Sequence, residues 1–451
     1  MSRIESKPTP FLSYDATEPK YWNRDGLNQE IDRVFDICHG CRLCFNLCPS
    51  FPELFNAVDA ANGEVRALSA AQKERVVDLC YGCKLCEVKC PYTPADGHEF
   101  QLDFPRLILR DKAVRAREHG IALRERVLGD PDRLGKLGSI APRMANWGCH
   151  QAIQRKLMEA LLGIHRDKLL PDFAGETFEA WLKRAGIPGA PAEPSSKVAL
   201  FHTCFVNFYN PGPGKAAVAV LAKNGCAIAS PKQNCCGMPA LDGGDVEFAQ
   251  KQARSNVASM LPLVRQGYRV AAINPTCSLT LRKEYPNLLS GDEVREFSAA
   301  VVDTHELLYE LRRAGKFNRE FRSTPGKIGY HFPCHLKAQG IGPRSRDLMR
   351  LIPGSEIVTV DACTSHDGTW AMKKEYFKLS LKWGERAFSG MRDAEPRVMT
   401  TDCPLAAVQF EQALGMRPMH PIEVLARAYE PGGFPDPVPA PERPKPKEEQ
   451  A

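Results

Sequence analysis

Two runs of cysteine in the first hundred residues constrain this 451-residue chain more than any other feature. Cys38, Cys41 and Cys44 are followed by Cys48-Pro49, and the same C-x2-C-x2-C-x3-C-P spacing returns as Cys80, Cys83, Cys86 and Cys90-Pro91. Three cysteines spaced this closely let one tight loop present three thiolates together, while the fourth, next to proline, points away from its own loop. A cubane iron-sulfur cluster wants four thiolates at the corners of a cage, so each loop is completed by the last cysteine of the other. The predicted ligand sets are Cys38, Cys41, Cys44 and Cys90 for one [4Fe-4S] cluster, and Cys80, Cys83, Cys86 and Cys48 for a second. Structural zinc is the competing reading, but zinc favours paired C-x2-C knuckles over three cysteines and a distant fourth. Two adjacent clusters are wiring for electrons rather than a catalytic centre.

The chain is too long for one core, and about three domains are expected at this length. Its 17 cysteines are odd in number and mostly in metal-type spacings, which argues against a disulfide framework. The N-terminus, Met1 to Pro8, lacks the apolar centre of a signal peptide, and no later run approaches 18 apolar residues. The expected location is therefore cytoplasmic, or peripheral at the inner face of a membrane through a partner. A formal charge of +6 gives no reason to expect nucleic acid, yet permits docking to an acidic protein or to anionic lipid.

Six segments follow from pattern and punctuation. Residues 1–26 read as an arm on the body or a frayed terminus. Residues 27–100 form a ferredoxin-like α+β module with a helical stretch, Ala67 to Asp78, inserted between its halves. Residues 101–190 are a helical linker region, with Leu107, Ile108, Val114, Ile121, Leu123, Val127 and later Leu157, Leu161 and Leu162 spaced as buried helix faces. Between Arg106 and Lys168 there are 14 Lys and Arg against 7 Asp and Glu, the pattern of a partner or membrane-surface face or simply of solvated helices. Cys149, with no cysteine near it in sequence, reads as a buried thiol. Beyond the turn-rich Gly186–Pro194 come 196–318 and 326–430, and 431–451 is a proline-rich tail expected to be disordered.

The two long C-terminal segments repeat one another. Val198–Cys204 returns as Ile328–Cys334, Asn234-Cys235-Cys236-Gly237 as Asp361-Ala362-Cys363-Thr364, and Ile273–Cys277 as Thr400–Cys403, at offsets of 130, 127 or 128, and 126. Each copy alternates short β-branched runs ending near a cysteine with helical stretches such as Pro213–Asn224 and Val246–Val264. That alternation predicts parallel α/β units, whose chemistry gathers at the carboxyl ends of the strands. Copy one offers Cys204, the vicinal pair Cys235-Cys236, and Cys277. Four thiolates from separate strand ends can hold a further iron-sulfur cluster, with zinc or a metal-free thiol site as alternatives. Copy two offers Cys334, Cys363 and Cys403, with His331, His335 and His366 nearby; a histidine or exogenous ligand could complete a cluster, or the copy is degenerate and structural. No G-x-G-x-x-G or Walker spacing is present, so the chain has no visible dinucleotide or nucleotide chemistry of its own.

Two such N-terminal motifs, a helical linker and two repeats with a Cys-Cys-Gly core resemble the iron-sulfur subunits of the heterodisulfide reductase, glycolate oxidase and anaerobic glycerol-3-phosphate dehydrogenase group. The likeness spans roughly residues 27 to 430. It implies duplicated α/β CCG cysteine-rich domains behind the ferredoxin-like module, and a subunit passing electrons between a flavoprotein dehydrogenase and an acceptor such as a quinone. It maps the first CCG motif onto Cys204, Cys235, Cys236 and Cys277. Disulfide-reducing members end that motif in C-x-x-C, whereas here Cys277 is followed by Ser278-Leu279-Thr280, and the second motif carries Thr364 in place of a paired cysteine. The resemblance therefore implies an electron conduit, not a complete enzyme, with a disulfide- or peroxide-reducing activity or a non-catalytic sensor as the alternatives.

Overall fold

In the computed structural model, which describes residues 4–366 and 368–434, the chain divides into a helical N-terminal half and a C-terminal half built on two parallel sheets. The expected tail, 431–451, falls outside the described residues from 435 onward.

The helix Arg24–Cys41 starts on Asn23, whose side chain accepts from the Gly26 amide at 2.7 Å, and buries Leu27, Ile31, Val34 and Phe35 at helical spacing. Its last turn carries Cys38 and Cys41, and Arg42 ends it in the left-handed region at φ +54°. Lys84 takes the same conformation at φ +59° after Cys83, so both cysteine loops turn the same way. Between them lie Ser50–Ala60, which buries Phe51, Leu54, Phe55 and Val58, and Ala70–Asp78, which opens on a Ser69/Gln72 capping box. The α+β expectation for this module is corrected: no strand occurs among the described residues before Ser196. The apolar residues of the insertion recur every three or four positions, which suits helices and gives no alternating face for a strand. Residues 4–23 are tied down, with the Thr9 amide on Glu30 at 2.8 Å, Arg110 on the Phe11 carbonyl at 3.0 Å and the Ala16 amide on the Asn287 carbonyl at 2.8 Å.

The first sheet contains β1 (Ser196–Phe201), β2 (Cys226–Ala229), β3 (Arg269–Ala272) and β4 (Val301–Asp303) in the order β2-β1-β3-β4. The second contains β5 (Lys327–His331), β6 (Glu356–Val360) and β7 (Val398–Thr401) in the order β6-β5-β7, and all pairs are parallel. Its fourth position is reduced to one parallel bridge, Thr400 to Met419. Each sheet places its central strand's carboxyl end at a short helix beginning with a cysteine, Cys204–Phe208 and Cys334–Gln339.

The duplication is real, but one sequence match within it is corrected. β1 pairs with β3 at Phe201↔Ala272, and β5 with β7 at His331↔Thr401, so the third strand is offset by 129 rather than 126. The helix after β3 begins Asn274-Pro275 and the helix after β7 begins Cys403-Pro404. Cys403 thus stands where copy one has Asn274, and the position of Cys277 is held by Ala406. A proline near each cysteine, Pro275 two positions before Cys277 and Pro404 directly after Cys403, made the 126 match attractive, although the strand register decides otherwise.

The copies do not sit side by side as separate units. The helix Gly212–Lys223 of copy one packs on Pro421–Ala428, the last helix of copy two, and Val220, Leu221, Ile422 and Leu425 share one core. The N-terminal module is fastened to both copies. Lys84, in the second cysteine loop, donates to Glu284 of copy one at 2.7 Å, and Trp370 of copy two donates to the Asp78 carbonyl at 2.9 Å.

Candidate iron-sulfur centres

None of the 17 cysteines is in a disulfide. Cys38, Cys41, Cys44 and Cys90 line one small cavity, where Phe51, Phe55 and Leu102 supply the apolar wall. Cys48, Cys80, Cys83 and Cys86 line a second, closed by Phe104 and Pro105. The two sets therefore mix cysteines from the two loops. Burial pushes the thiols of Cys38, Cys48 and Cys86 up, and neighbouring thiols push them further. A set of four crowded, desolvated thiols is stable as thiolates only with a metal cation to compensate them, a requirement that the irons of a cluster would meet. No three His, Cys, Asp or Glu side chains among the described residues close on a point that suits a single ion.

Copy one brings Cys204, Cys235, Cys236 and Cys277 together. Cys204 and Cys235 have their sulfurs 3.8 Å apart, and hydrogen bonds from Cys235 and Cys277 hold the Cys236 thiol well below its usual range. Gly237, at φ +89°, turns the chain immediately after the vicinal pair, and a Cβ there would come within 3.3 Å of the Ala249 backbone. Asp132 from the helical linker accepts from the Cys235 amide at 2.6 Å and is itself pushed up by burial. Nothing in the sequence around Asp132 marks that contact, which crosses 103 positions.

These four cysteines form the floor of an apolar cavity of about 290 Å³. Its roof is the linker, through Val127, Leu128, Leu134, Met158 and Leu162, with Phe173, Tyr209 and Met238 on the walls. Cys149 is half-buried on that roof rather than enclosed in a core, which corrects the expectation of a buried thiol.

In copy two, Cys334, Cys363, Cys403 and His366 line one cavity, and Cys83 of the second N-terminal loop is on its wall. Hydrogen bonds from Cys334 and Cys83 hold the Cys363 thiol well below its usual range. Cys83 therefore lies on the boundary of two cavities, a proximity that no local pattern in the sequence announces. Thr276, beside Cys277, in turn lines both this cavity and the apolar one over copy one. The four thiol groups thus follow one another through the molecule. Cys226, the remaining cysteine, sits in β2 against Ser195 at 3.5 Å and belongs to none of them.

Two parallel sheets presenting cysteines at their strand ends, behind a module with two cysteine quartets, define an iron-sulfur protein of the electron-transfer class. The family profile described as "Cysteine-rich domain", CCG, matches residues 198–282 and 328–411, and "Citrate utilization protein B Fer4-like domain" matches 31–120. The chain belongs to this family of iron-sulfur proteins with a Fer4-like N-terminal domain and two CCG domains. It is 32% identical over 310 residues to a subunit of the anaerobic glycerol-3-phosphate dehydrogenase of Escherichia coli (strain K12), covering 68% of this chain and 77% of that one. Lactate utilization protein A of Geobacillus sp. (strain WCH70) is 31% identical over 184 residues, 39% of this chain and 75% of the relative. A subunit of the fumarate reductase (CoM/CoB) of Methanothermobacter marburgensis is 25% identical over 252 residues, 52% and 47% of the two chains.

Proposed function

We propose that the chain relays electrons from a flavoprotein dehydrogenase of the glycerol-3-phosphate or 2-hydroxy-acid type to an apolar acceptor such as a quinone. The observation that carries this reading is the apolar cavity of about 290 Å³ laid directly over the copy-one cysteines, at the far end of the row of thiol groups. Iron-sulfur clusters, when bound, supply one-electron storage and transfer along that row. The chain's own residues do the rest. Cys38, Cys41, Cys44 and Cys90, then Cys48, Cys80, Cys83 and Cys86, hold the entry groups near one another. The linker helices exclude water from the copy-one thiols and give an apolar ring a surface to lie on. A quinone accepting two electrons in turn, with two protons from solvent, leaves as the quinol.

The outer face of the same helices supports a lipid surface as the source of that acceptor. Eight of the thirteen large apolar side chains exposed among the described residues lie between Leu123 and Leu161, including Ile140 at 80% and Ile153 at 82% exposure. In that stretch Arg126, Arg133, Lys136, Arg143 and Lys156 are exposed, and no acidic side chain is. Apolar side chains interleaved with cations are the pattern of an interfacial helix on anionic lipid. No helix among the described residues is long and apolar enough to cross a membrane.

The test uses the full chain, loaded anaerobically and reduced. Reoxidation is followed optically with a short-chain quinone, an organic disulfide or a peroxide as the oxidant. The quinone should react fastest, and Leu134→Trp, which fills the roof of the cavity, should slow it at least tenfold without changing iron content. Faster reoxidation by disulfide or peroxide would overturn the reading in favour of a reductase. Sedimentation with anionic vesicles should fall at least tenfold in Ile140→Asp/Ile153→Asp, given about 2 kcal/mol for each buried isoleucine.

A further inference from the structure

We infer that copy two is a cluster site in its own right, with His366 as the fourth ligand beside Cys334, Cys363 and Cys403. It rests on the relay reading and deepens it, by assigning the ligands of the copy-two group that stands in the row between the second N-terminal set and copy one.

Three histidines surround the copy-two cysteines, and their hydrogen bonds separate them. His331 places Nδ1 at 2.9 Å from the Thr401 hydroxyl and Nε2 at 3.0 Å from the Ala362 carbonyl, so both ring nitrogens are spent on the protein. His335 does the same with the Thr276 hydroxyl at 2.9 Å and the Gly82 carbonyl at 3.1 Å. His366 differs. Its Nε2 is 3.6 Å from the Cys403 sulfur, and its Nδ1 is buried with no hydrogen-bond partner. A buried ring nitrogen without a partner is an unfavourable arrangement that a metal bond relieves, and neutral imidazole is an accepted ligand at iron-sulfur irons.

The register of the two copies strengthens the assignment. Ser365, at φ +53°, occupies the left-handed position that Gly237 holds in copy one. That alignment pairs Cys235 with Cys363, Cys236 with Thr364 and Met238 with His366. Together with the strand register, copy two has lost two donors, at Thr364 and Ala406, and has gained two, at His366 and Cys403. A copy kept only as scaffold would lose ligands without acquiring replacements in the same cavity. Here the number stays at four, and all four line one space that Cys83 separates from the second N-terminal set.

The experiment measures iron, sulfide and the nitrogen hyperfine coupling of the reduced, anaerobically reconstituted full chain by pulsed EPR. About 16 irons and a directly bound imidazole nitrogen are expected in the wild type. His366→Ala should hold about 12 irons and lose the coupling, whereas His331→Ala should keep both features. Should His366→Ala fold poorly, His366→Cys serves instead, keeping about 16 irons while losing the nitrogen signal. About 12 irons in the wild type, or nitrogen coupling that persists without His366, would overturn the inference and leave the copy-one site standing. About 8 irons would remove both cysteine-rich sites and the relay reading with them.

Discussion

Replacing Glu284 with glutamine tests how the N-terminal module is held to copy one. Glu284 accepts from Lys84 at 2.7 Å and from Arg106 at 3.3 Å, and the Lys84 and Glu284 side chains are 1% and 4% exposed. Burial pushes the Glu284 carboxyl up, but Arg106 and Lys84 together outweigh it and bring it down to about 2 from 4.5. At about 1.4 kcal/mol per unit, that depression is worth about 3 kcal/mol of folded-state stability. The contribution is present above the unfolded carboxyl's titration near pH 4.5 and is lost as pH falls toward 2. Breaking a buried pair by removing one partner costs roughly 3–5 kcal/mol, so the two routes agree. Glu284→Gln abolishes the contribution at neutral pH and leaves Lys84 and Arg106 buried without their shared counter-charge. About 3 kcal/mol corresponds to roughly a hundredfold increase in transient opening of this contact. Hydrogen exchange at pH 7 over residues 80–90 and 280–289 should accelerate by about that factor, while the helix Ser50–Ala60 exchanges as before. Lys84→Met/Glu284→Gln should recover part of the loss, because one stranded cation is gone. Acceleration of less than about threefold in Glu284→Gln would refute the reasoning.

Cys90→Ser should remove about four irons by breaking the set lined by Cys38, Cys41 and Cys44, and Cys48→Ser should remove about four from the set of the second loop, as read by iron content and EPR. Each loss would appear opposite the loop that was mutated. Gly237→Ala should destabilise copy one by about 1–2 kcal/mol in denaturant titration, because an L-residue is strained at φ +89°. Burial lowers His420 to about 4 from 6.5, so the folded state resists a proton that the unfolded state accepts. His420's own contribution to stability should be level above pH 6.5 and fall by up to about 3 kcal/mol toward pH 4, and His420→Gln should remove that share of the slope in thermal melts.

The N-terminal cysteine spacing was sufficient to sort eight thiols into two sets, because covalent loop geometry is local and the proline after each fourth cysteine fixes its direction. Strand and helix positions in the repeats were also readable, since Val198–Phe201, Val270–Ile273 and Val246–Val264 carry strong runs of one period. β2 and β4 were harder to see. Cys226–Ala229 and Val301–Asp303 are four and three residues long, too short for alternation to register. Sequence spacing misled at Cys403, where a cysteine a few residues past a strand imitated Cys277 while the strand pairing set a different register. The Cys83–Cys363 approach and the Asp132 contact depend on how separately folded segments pack, and no local period encodes that. The expectation of buried faces is corrected at Leu123, Leu157 and Leu161, which are exposed, since periodicity reveals that a face is apolar but not what it faces.

The packing of Pro421–Ala428 on Gly212–Lys223 has a consequence for how the protein is made. The core beneath copy one is completed by a helix that leaves the ribosome roughly 150 residues after Cys277, which at about 5–20 residues per second is a delay of roughly 10–30 s. During that interval Cys204, Cys235, Cys236 and Cys277 have been synthesised while the sheet that presents them still lacks part of the core on one of its faces.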